Sequence, residues 1–433
     1  MLTGDKEETA ISIGHSCNLL LQLEEMDLFF ITRLTSQVDY TEQLNDVYER
    51  VIAHDRSKEI ALVMDGFSFT FFDDENAEHR RQLLAIGQAC RSVIACRLTP
   101  VQKQQLVALV KFDSVPRSTT LSIGDGANDV SMIREADVGI GIIGKEGKQA
   151  ANNADFAIGQ FKFLKPLLLV HGRWNYVRQS RVFLYSMHKN MVLTLTLFWY
   201  SYYTALSGTS MYNDLVYSGF NFALGLPIIF YGFMDRDIPA DFAIENPQVY
   251  RTGLSNSMLN IGTVALWISN AMLFAVVFCL LFFVALEPTF RDYGVYEMGT
   301  VIYVSLVLAL HSKVAFLHQV WNKVHVYSMA FSVSMLFLVL YIINLFESDW
   351  NYYGVVEFVY KQGIFWFFGF FTIPLICFLI DVIGASLYLF FMASYDMVEK
   401  VGPKLYWFIS SQETVYREKA FHYDQKQSFW ESW

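Results

Sequence analysis

The sequence predicts two parts: an α/β region built on a parallel sheet over residues 1–166, and an all-α bundle of six membrane-spanning helices over residues 182–392. Three observations predict it. Residues 1–166 alternate short β-branched runs with helical patterns, as chains that form parallel sheets do. Residues 182–392 contain six long apolar runs, each about the ~20 residues a bilayer requires. The 433 residues are 54% hydrophobic and only 17% charged, with a mean hydropathy of +0.30, too apolar for a chain that faces water on every side. Residues 167–181 form a linker between the two parts. Residues 393–433, rich in Tyr, Trp, Lys and Glu, form a tail, either regulatory or lying on the membrane surface.

In the first part, Leu2-Thr3-Gly4-Asp5-Lys6 reads as the end of a strand and its turn, followed by a helix over 7–20 whose N-terminus attracts an anion. A second strand is expected over 59–66. A third, over 92–97, leads into Leu98-Thr99-Pro100-Val101-Gln102-Lys103, where Pro100 fits the first turn of a helix running to Lys111. Residues 119–123 supply a β-branched lead-in to the turn Gly124-Asp125-Gly126-Ala127-Asn128-Asp129, and a helix is expected over 129–136. That turn sits at the C-terminal lip of the sheet, where α/β folds bind ligands. Its two carboxylates and one carboxamide are hard oxygen donors, which suit Mg²⁺ and a phosphoryl group; the alternative is a tight loop capped by Asp. Arg97 and Lys103 either bring positive charge to this lip or are solvated surface charges.

In the second part the apolar runs cover 182–206, 215–234, 258–286, 300–316, 326–346 and 364–392. Lys162, Lys165, Arg173, Arg178 and Arg181 precede the first run, and Lys400, Lys404, Arg417, Lys419 and Lys426 follow the last. The two long loops on the opposite side hold only Arg291 and Lys361 and are acidic, with Glu287, Asp292, Glu297, Glu347, Asp349 and Glu357. The positive-inside rule then puts both termini in the cytosol. Lys189 and Asn190 interrupt the first run about seven residues in, roughly 10 Å into a core ~30 Å thick. A lysine there is either functional or snorkels to the near interface. Its neighbour His188 is taken as a packing residue. Asn221 and Pro227 break the second run, and Pro227 frees a carbonyl one turn upstream that a neighbour or water must satisfy, either as a plain kink or along a passage. Lys313, with His311 and Ser312, is a weaker candidate, and Asp381 is placed at the interface.

The formal net charge is −10 and no nucleic-acid partner is implied. Cys17, Cys90, Cys96, Cys279 and Cys377 show no Cys-x-x-Cys spacing, so neither disulfides nor zinc is expected. Met1-Leu2-Thr3-Gly4-Asp5 lacks the pattern of a signal peptide, so insertion relies on internal helices.

Four segments carry a resemblance: Leu2-Thr3-Gly4-Asp5-Lys6-Glu7-Glu8-Thr9-Ala10, Cys96-Arg97-Leu98-Thr99-Pro100-Val101-Gln102-Lys103, the Gly124-to-Asp129 turn, and His171-Gly172-Arg173-Trp174-Asn175-Tyr176. Together they resemble the C-terminal part of a P-type ATPase of the phospholipid-translocating branch, the lipid flippases. Gly144-Lys145-Glu146-Gly147 and Asp155-Phe156-Ala157-Ile158 also fit, and the resemblance extends to about Met392. The Gly-Asp-Gly turn alone is similar to P-type pumps and haloacid-dehalogenase-like phosphatases alike; the His-Gly-Arg-Trp-Asn-Tyr segment resembles flippases in particular.

The resemblance implies a haloacid-dehalogenase-like, Rossmann-like partial phosphorylation domain followed by the family's last six transmembrane helices. It implies that Thr3, Gly4 and Asp5 sit by the transferred phosphate and nucleotide, that Arg97 and Lys103 contact phosphates, that Asp125 and Asp129 hold Mg²⁺, and that Asn128 bonds the phosphoryl group. Asp125, Lys103 and Asn128 are thereby the catalytic candidates. It implies that Lys189 and Asn190 line the lipid headgroup route, with Asn221 and Pro227 on the facing helix. ATP and Mg²⁺ are the implied cofactors. The implied cargo is a phospholipid moved from the exoplasmic to the cytosolic leaflet, and a small two-span glycoprotein subunit is a possible partner. The implied location is a plasma membrane or an endomembrane such as Golgi or endosome. A cation pump is disfavoured, since residues 215–234 contain no Asp or Glu.

The family's nucleophile is an aspartate in Asp-Lys-Thr-Gly-Thr, which does not occur in these 433 residues. The chain is therefore read as a truncated gene model or a partial chain, expected not to hydrolyse ATP alone, with open strand edges beside the missing central strand. Two other readings stay open here: an inactive membrane interaction subunit or split half, and a tethered phosphatase with another nucleophile.

Overall fold

The computed structural model describes residues 1–22, 24–54, 58–72, 76–144, 148–212, 214–285, 294–345, 353–361 and 366–392. The tail and its Lys400, Lys404, Arg417, Lys419 and Lys426, together with Glu287, Arg291, Asp292, Glu347, Asp349, Lys145, Glu146 and Gly147, lie outside the described residues. The chain divides into two compact units, Met1–Leu164 and Lys165–Trp433.

The first unit holds two three-stranded parallel sheets, where the sequence led us to expect one. In the first, β1 (Met26–Ile31), β2 (Glu59–Asp65) and β3 (Ser92–Cys96) pair in that order. In the second, β4 (Leu121–Gly124), β5 (Val138–Ile142) and β6 (Phe156–Ile158) pair in that order. The opening strand expected at Leu2 is a single bridge to Ala95, because Gly4 turns the chain away into α1 (Glu7–Ser16). That helix stops short of Leu20: Asn18 takes a left-handed backbone, φ 56°, and Leu19 N and Leu20 N both close on Gly14 O.

Period-two alternation along β2 explains the layers. Ile60, Leu62 and Met64 pack with Tyr40, Leu44 and Val47 of α2 (Gln37–Ala53) and with Leu83 and Ile86 of α3 (Ala77–Ala89). Ala61 and Val63 pack on the other face with Ala10, Leu20, Ile94 and Cys96. Both faces are covered, so β2 reads as a continuous apolar run with only Glu59 exposed. At β3, α4 (Pro100–Asp113) starts on a capping box between Thr99 and Gln102 with Pro100 in its first turn. β4 leads through one 3₁₀ turn, Ala127–Asp129, into α5 (Val130–Glu135).

The second unit is helical. Its long helices are α6 (Arg173–Tyr203), α7 (Asp214–Met234), α8 (Ile261–Phe278), α9 (Val295–Leu317), α10 (Lys323–Asn344) and α11 (Ile373–Met392). Among the described residues five segments are long and apolar enough to cross a membrane: Val216–Met234, Ile261–Phe282, Val295–Leu317, Lys323–Asn344 and Gly369–Leu387. The first expected span falls in α6 up to Tyr203, and the helix's 31 residues reach ~46 Å, long enough to cross. Arg181, His188, Lys189 and Asn190 dilute its apolar character, which is why it does not stand with the other five. α6 packs on α7 and α8, α7 on α9 and α10, and α9 on α11. One apolar core, including Tyr185, Phe220, Phe274, Leu306 and Leu310, joins them.

Candidate functional site

The lip of the first unit is assembled by backbone bonds before any side chain acts. Thr3 N donates to Ala95 O at 2.9 Å, Arg97 N to Asp5 O at 3.0 Å, and Leu98 N to Thr3 O at 3.1 Å, so the opening turn is fastened to the end of β3. Thr3 Oγ1 donates to Asp5 Oδ2 at 2.9 Å, holding that carboxylate within its own turn. Arg97 adopts a left-handed backbone, φ 53°, and its side chain is exposed. A non-glycine residue held in that region carries strain of about 1–3 kcal/mol, and such positions cluster at functional sites.

One turn into α4, Lys103 is buried and donates to Asp129 Oδ1 at 2.8 Å. This contact brings the end of β3 and the end of β4 to one place, although the two strands belong to different sheets. Gly124 makes the turn possible: a Cβ there would overlap the Asp129 side chain. Asp125 and Asn128 are exposed on the same turn. At Gly66, just after β2, a Cβ would likewise overlap Arg97 O, and Gln102 Nε2 donates to Gly66 O at 2.8 Å. Asp65, which the sequence reading did not single out, caps this corner by accepting from Ser68 N at 2.8 Å.

Among the described residues no three acidic, His or Cys side chains converge as a metal cage. Two carboxylates on one turn nevertheless fit Mg²⁺, which is held by one or two carboxylates and completes its octahedron with water and phosphate oxygens. The exposed Arg97 and Asn128 add a cation and an amide donor for a phosphate. The residues present therefore fit both groups.

Between β4 and β5, Thr120 N and Thr120 Oγ1 donate to Asp137 Oδ2 at 3.0 and 3.1 Å. These bonds, the backbone one foremost, hold the Asp137 carboxyl below the usual carboxylate range. Burial pushes the Cys90 thiol up to about 12 and the Cys96 thiol upward, which disfavours the thiolate at both.

In the second unit Lys189 of α6 is buried and its Nζ donates to Asn221 Oδ1 on α7, with the Phe220 ring 5.4 Å away. Asn190 and Asn221 are exposed on the surface of the helical unit. No carboxylate pairs with Lys189 among the described residues. Pro227, buried in α7, frees Ala223 O, and the Ser332 hydroxyl of α10 takes it up while also lying 2.8 Å from His311 Nε2.

Asp381, placed at the interface by the sequence, is buried among the helices. It is 6% exposed, and Lys313 Nζ lies 2.7 Å from its Oδ1. A carboxylate so placed needs a partner, and Lys313 supplies it from α9. Asn270 of α8, which the sequence reading missed, completes the cluster with His188. A lone amide in an apolar run is the signal that could have found it.

The start of α6 has a structural role that its residues explain. Arg173 donates through Nε and Nη2 to Asp237 Oδ2 at 3.1 and 2.9 Å, and Trp174 Nε1 donates to Ile238 O at 2.9 Å. Asp235, two residues before Asp237, accepts from Gln319 N and Val320 N at 3.1 and 3.0 Å. The loop after α7 is thus tied to the start of α6 and the end of α9.

Residues 151–394 match the family described as phospholipid-translocating P-type ATPase C-terminal, and residues 101–160 match the haloacid dehalogenase-like hydrolases. The chain is 37% identical over 386 residues to "Phospholipid-transporting ATPase DRS2" of Saccharomyces cerevisiae, covering 84% of this chain and 28% of that one. It is 34% identical over 420 residues to human "Phospholipid-transporting ATPase VB", covering 91% and 28%, and 34% identical over 385 residues to "Phospholipid-transporting ATPase 6" of Arabidopsis thaliana, covering 84% and 31%. It spans about three tenths of the length of these relatives. The matched family covers more than half of the chain, from before the linker through the last long helix, and so the chain belongs to the phospholipid-translocating P-type ATPases.

Proposed function

We propose that this chain provides the metal- and phosphate-facing lip and the headgroup route of an ATP-driven phospholipid translocase, moving lipid from the exoplasmic to the cytosolic leaflet. The observation that carries the lipid reading is Lys189, a buried cation that, among the described residues, meets an amide and a ring but no carboxylate. A charge of that kind inside a bundle is costly unless an anion joins it, and a phospholipid headgroup brings a phosphate. Asn190 and Asn221 beside Lys189 are exposed, so a headgroup would approach that lysine from their side while its acyl chains stay in the bilayer. α6 then completes a set of six spanning helices, and the basic residues before its apolar run support a cytosolic position for that end.

At the lip, Asp125 and Asp129 would hold Mg²⁺, which supplies charge neutralisation at the phosphate oxygens when bound. Arg97, Asn128 and the opening turn Thr3-Gly4-Asp5 orient the phosphate by charge and hydrogen bonding. Lys103 balances the Asp129 carboxylate and keeps the turn in place. A nucleophilic aspartate would come from the part of the relatives that this chain does not span, together with any accessory subunit.

The test is phospholipid binding to the purified chain in detergent, counted by native mass spectrometry with phosphatidylserine and phosphatidylcholine as probes. Lys189→Met is expected to weaken binding of at least one of them roughly tenfold, about 1.4 kcal/mol. Equal affinity of both proteins for both lipids rules the reading out.

A further inference from the structure

α6 carries His188 and Lys189 side by side, and successive helical residues point ~100° apart, so the two side chains grip different neighbours. Lys189 reaches α7. His188 Nε2 lies 2.7 Å from Asn270 Oδ1 on α8. The same Asn270 Oδ1 accepts from Lys313 Nζ at 2.8 Å, and Asn270 Nδ2 donates to Asp381 Oδ1 at 3.0 Å. The Lys313–Asp381 pair at 2.7 Å closes the set, which therefore draws on four helices, α6, α8, α9 and α11.

The charges of this node balance, although His188 Nδ1 and Asp381 Oδ2 are buried without a hydrogen-bond partner among the described residues. One cation meets one anion, and the amide of Asn270 has no freedom to flip: its oxygen faces two donors and its nitrogen faces the carboxylate. Because Asn270 Oδ1 is an acceptor only, His188 must donate from Nε2. The Trp267 and Phe274 rings stand edge-on to His188 and within 5.1 Å of the Lys313 ammonium, excluding water from both. A node without surplus charge does not call for a ligand, and it serves as a fixed post.

We propose that His188 is a positioning residue for Lys189. By fastening one face of α6 to the Asn270–Lys313–Asp381 post, it fixes the rotation of the helix and so aims the Lys189 ammonium at Asn221 and the headgroup route. The inference rests on the reading of Lys189 given above. A charged node buried among apolar rings resists rotation because any turn of α6 leaves the amide oxygen or the imidazole N–H unpaired away from water.

The experiment is a double-mutant cycle on the full chain in detergent, read as phosphatidylserine and phosphatidylcholine affinity by native mass spectrometry. His188→Leu is expected to weaken binding about fivefold or more, to add nothing in a Lys189→Met background, and to be largely restored by His188→Gln, which keeps a donor. Simple loss of packing would give additive effects and no rescue by Gln. Should His188→Leu fail to accumulate as folded protein, Asn270→Ala removes the same bond from the other side and is read by the same cycle. If Lys189→Met weakens binding while His188→Leu binds like the parent, or the two effects add, the positioning role is overturned and the lipid reading stands. If Lys189→Met itself binds like the parent, both fall.

Discussion

Lys313 and Lys189 are buried in the same helical unit, yet among the described residues only Lys313 of the two meets a carboxylate, that of Asp381 at 2.7 Å. On the proposed function, the difference separates a structural lysine from one that meets the headgroup. Lys313→Met leaves Asp381 without a counter-charge and is expected to destabilise the chain by about 3–5 kcal/mol, most of which Lys313→Met with Asp381→Leu recovers. Lys189→Met removes an unpaired cation, and its thermal midpoint in detergent is expected to equal or exceed the parent's. Equal destabilisation by the two single replacements would contradict the distinction.

The Arg173–Asp237 pair ties the start of α6 to the loop after α7 with both side chains almost fully buried. Asp237→Ala strands the guanidinium and is expected to cost about 3–5 kcal/mol, measured as a fall in the heat- or denaturant-induced unfolding midpoint. A change within the scatter of surface replacements would show that the other partners of Arg173 suffice alone.

At the lip, the Asp125 and Asp129 carboxylates are expected to account for divalent binding. Titration with Mn²⁺, read by its paramagnetic signal, should show a site that Asp125→Asn weakens roughly tenfold or more. The chain alone is expected to release no phosphate from ATP, because the phosphorylated aspartate motif of its family does not occur in it. Rapid release, abolished by Asp125→Asn, would overturn that expectation.

Asp137 gives a pH dependence with a definite sign. Its folded carboxyl is held below the ordinary value by the Thr120 bonds, so its contribution is present above the unfolded carboxylate pKa of about 3.9 and is lost as pH falls through the lower, folded value. Acid unfolding of Asp137→Asn should therefore depend less steeply on pH below about 4 than that of the parent. Parallel acid limbs would refute the assignment.

Much of this was legible in the residues. β2, β3 and β4 announce themselves as apolar, β-branched runs that end in Gly or Arg, and Pro100 with Thr99 marks the start of α4. β1 escaped notice because Asp27 breaks its pattern, and β6 because three residues carry no period. Strand ends suggest that Lys103 shares the lip of Asp125 or is a solvated charge; its burial against Asp129 fits the former, but the partner itself is not legible in the sequence. Nor is the Lys313–Asp381 pair: 68 residues separate the partners, and depth along a helix says nothing about which neighbour faces it. Pro227 pointed to a freed carbonyl, but that Ser332 would satisfy it depends on how α7 and α10 pack.

The central claim, that this chain carries the lipid route of a phospholipid-translocating ATPase, is tested most directly by transport. The chain, joined behind the preceding portion of the yeast relative and reconstituted into liposomes, should move fluorescent phospholipid into the leaflet on its ATP-binding side when Mg²⁺ and ATP are added. Lys189→Met should reduce that movement at least tenfold while phosphoenzyme formation persists. Transport undiminished by Lys189→Met, or phosphoenzyme formation with no lipid movement in the parent, would contradict the account.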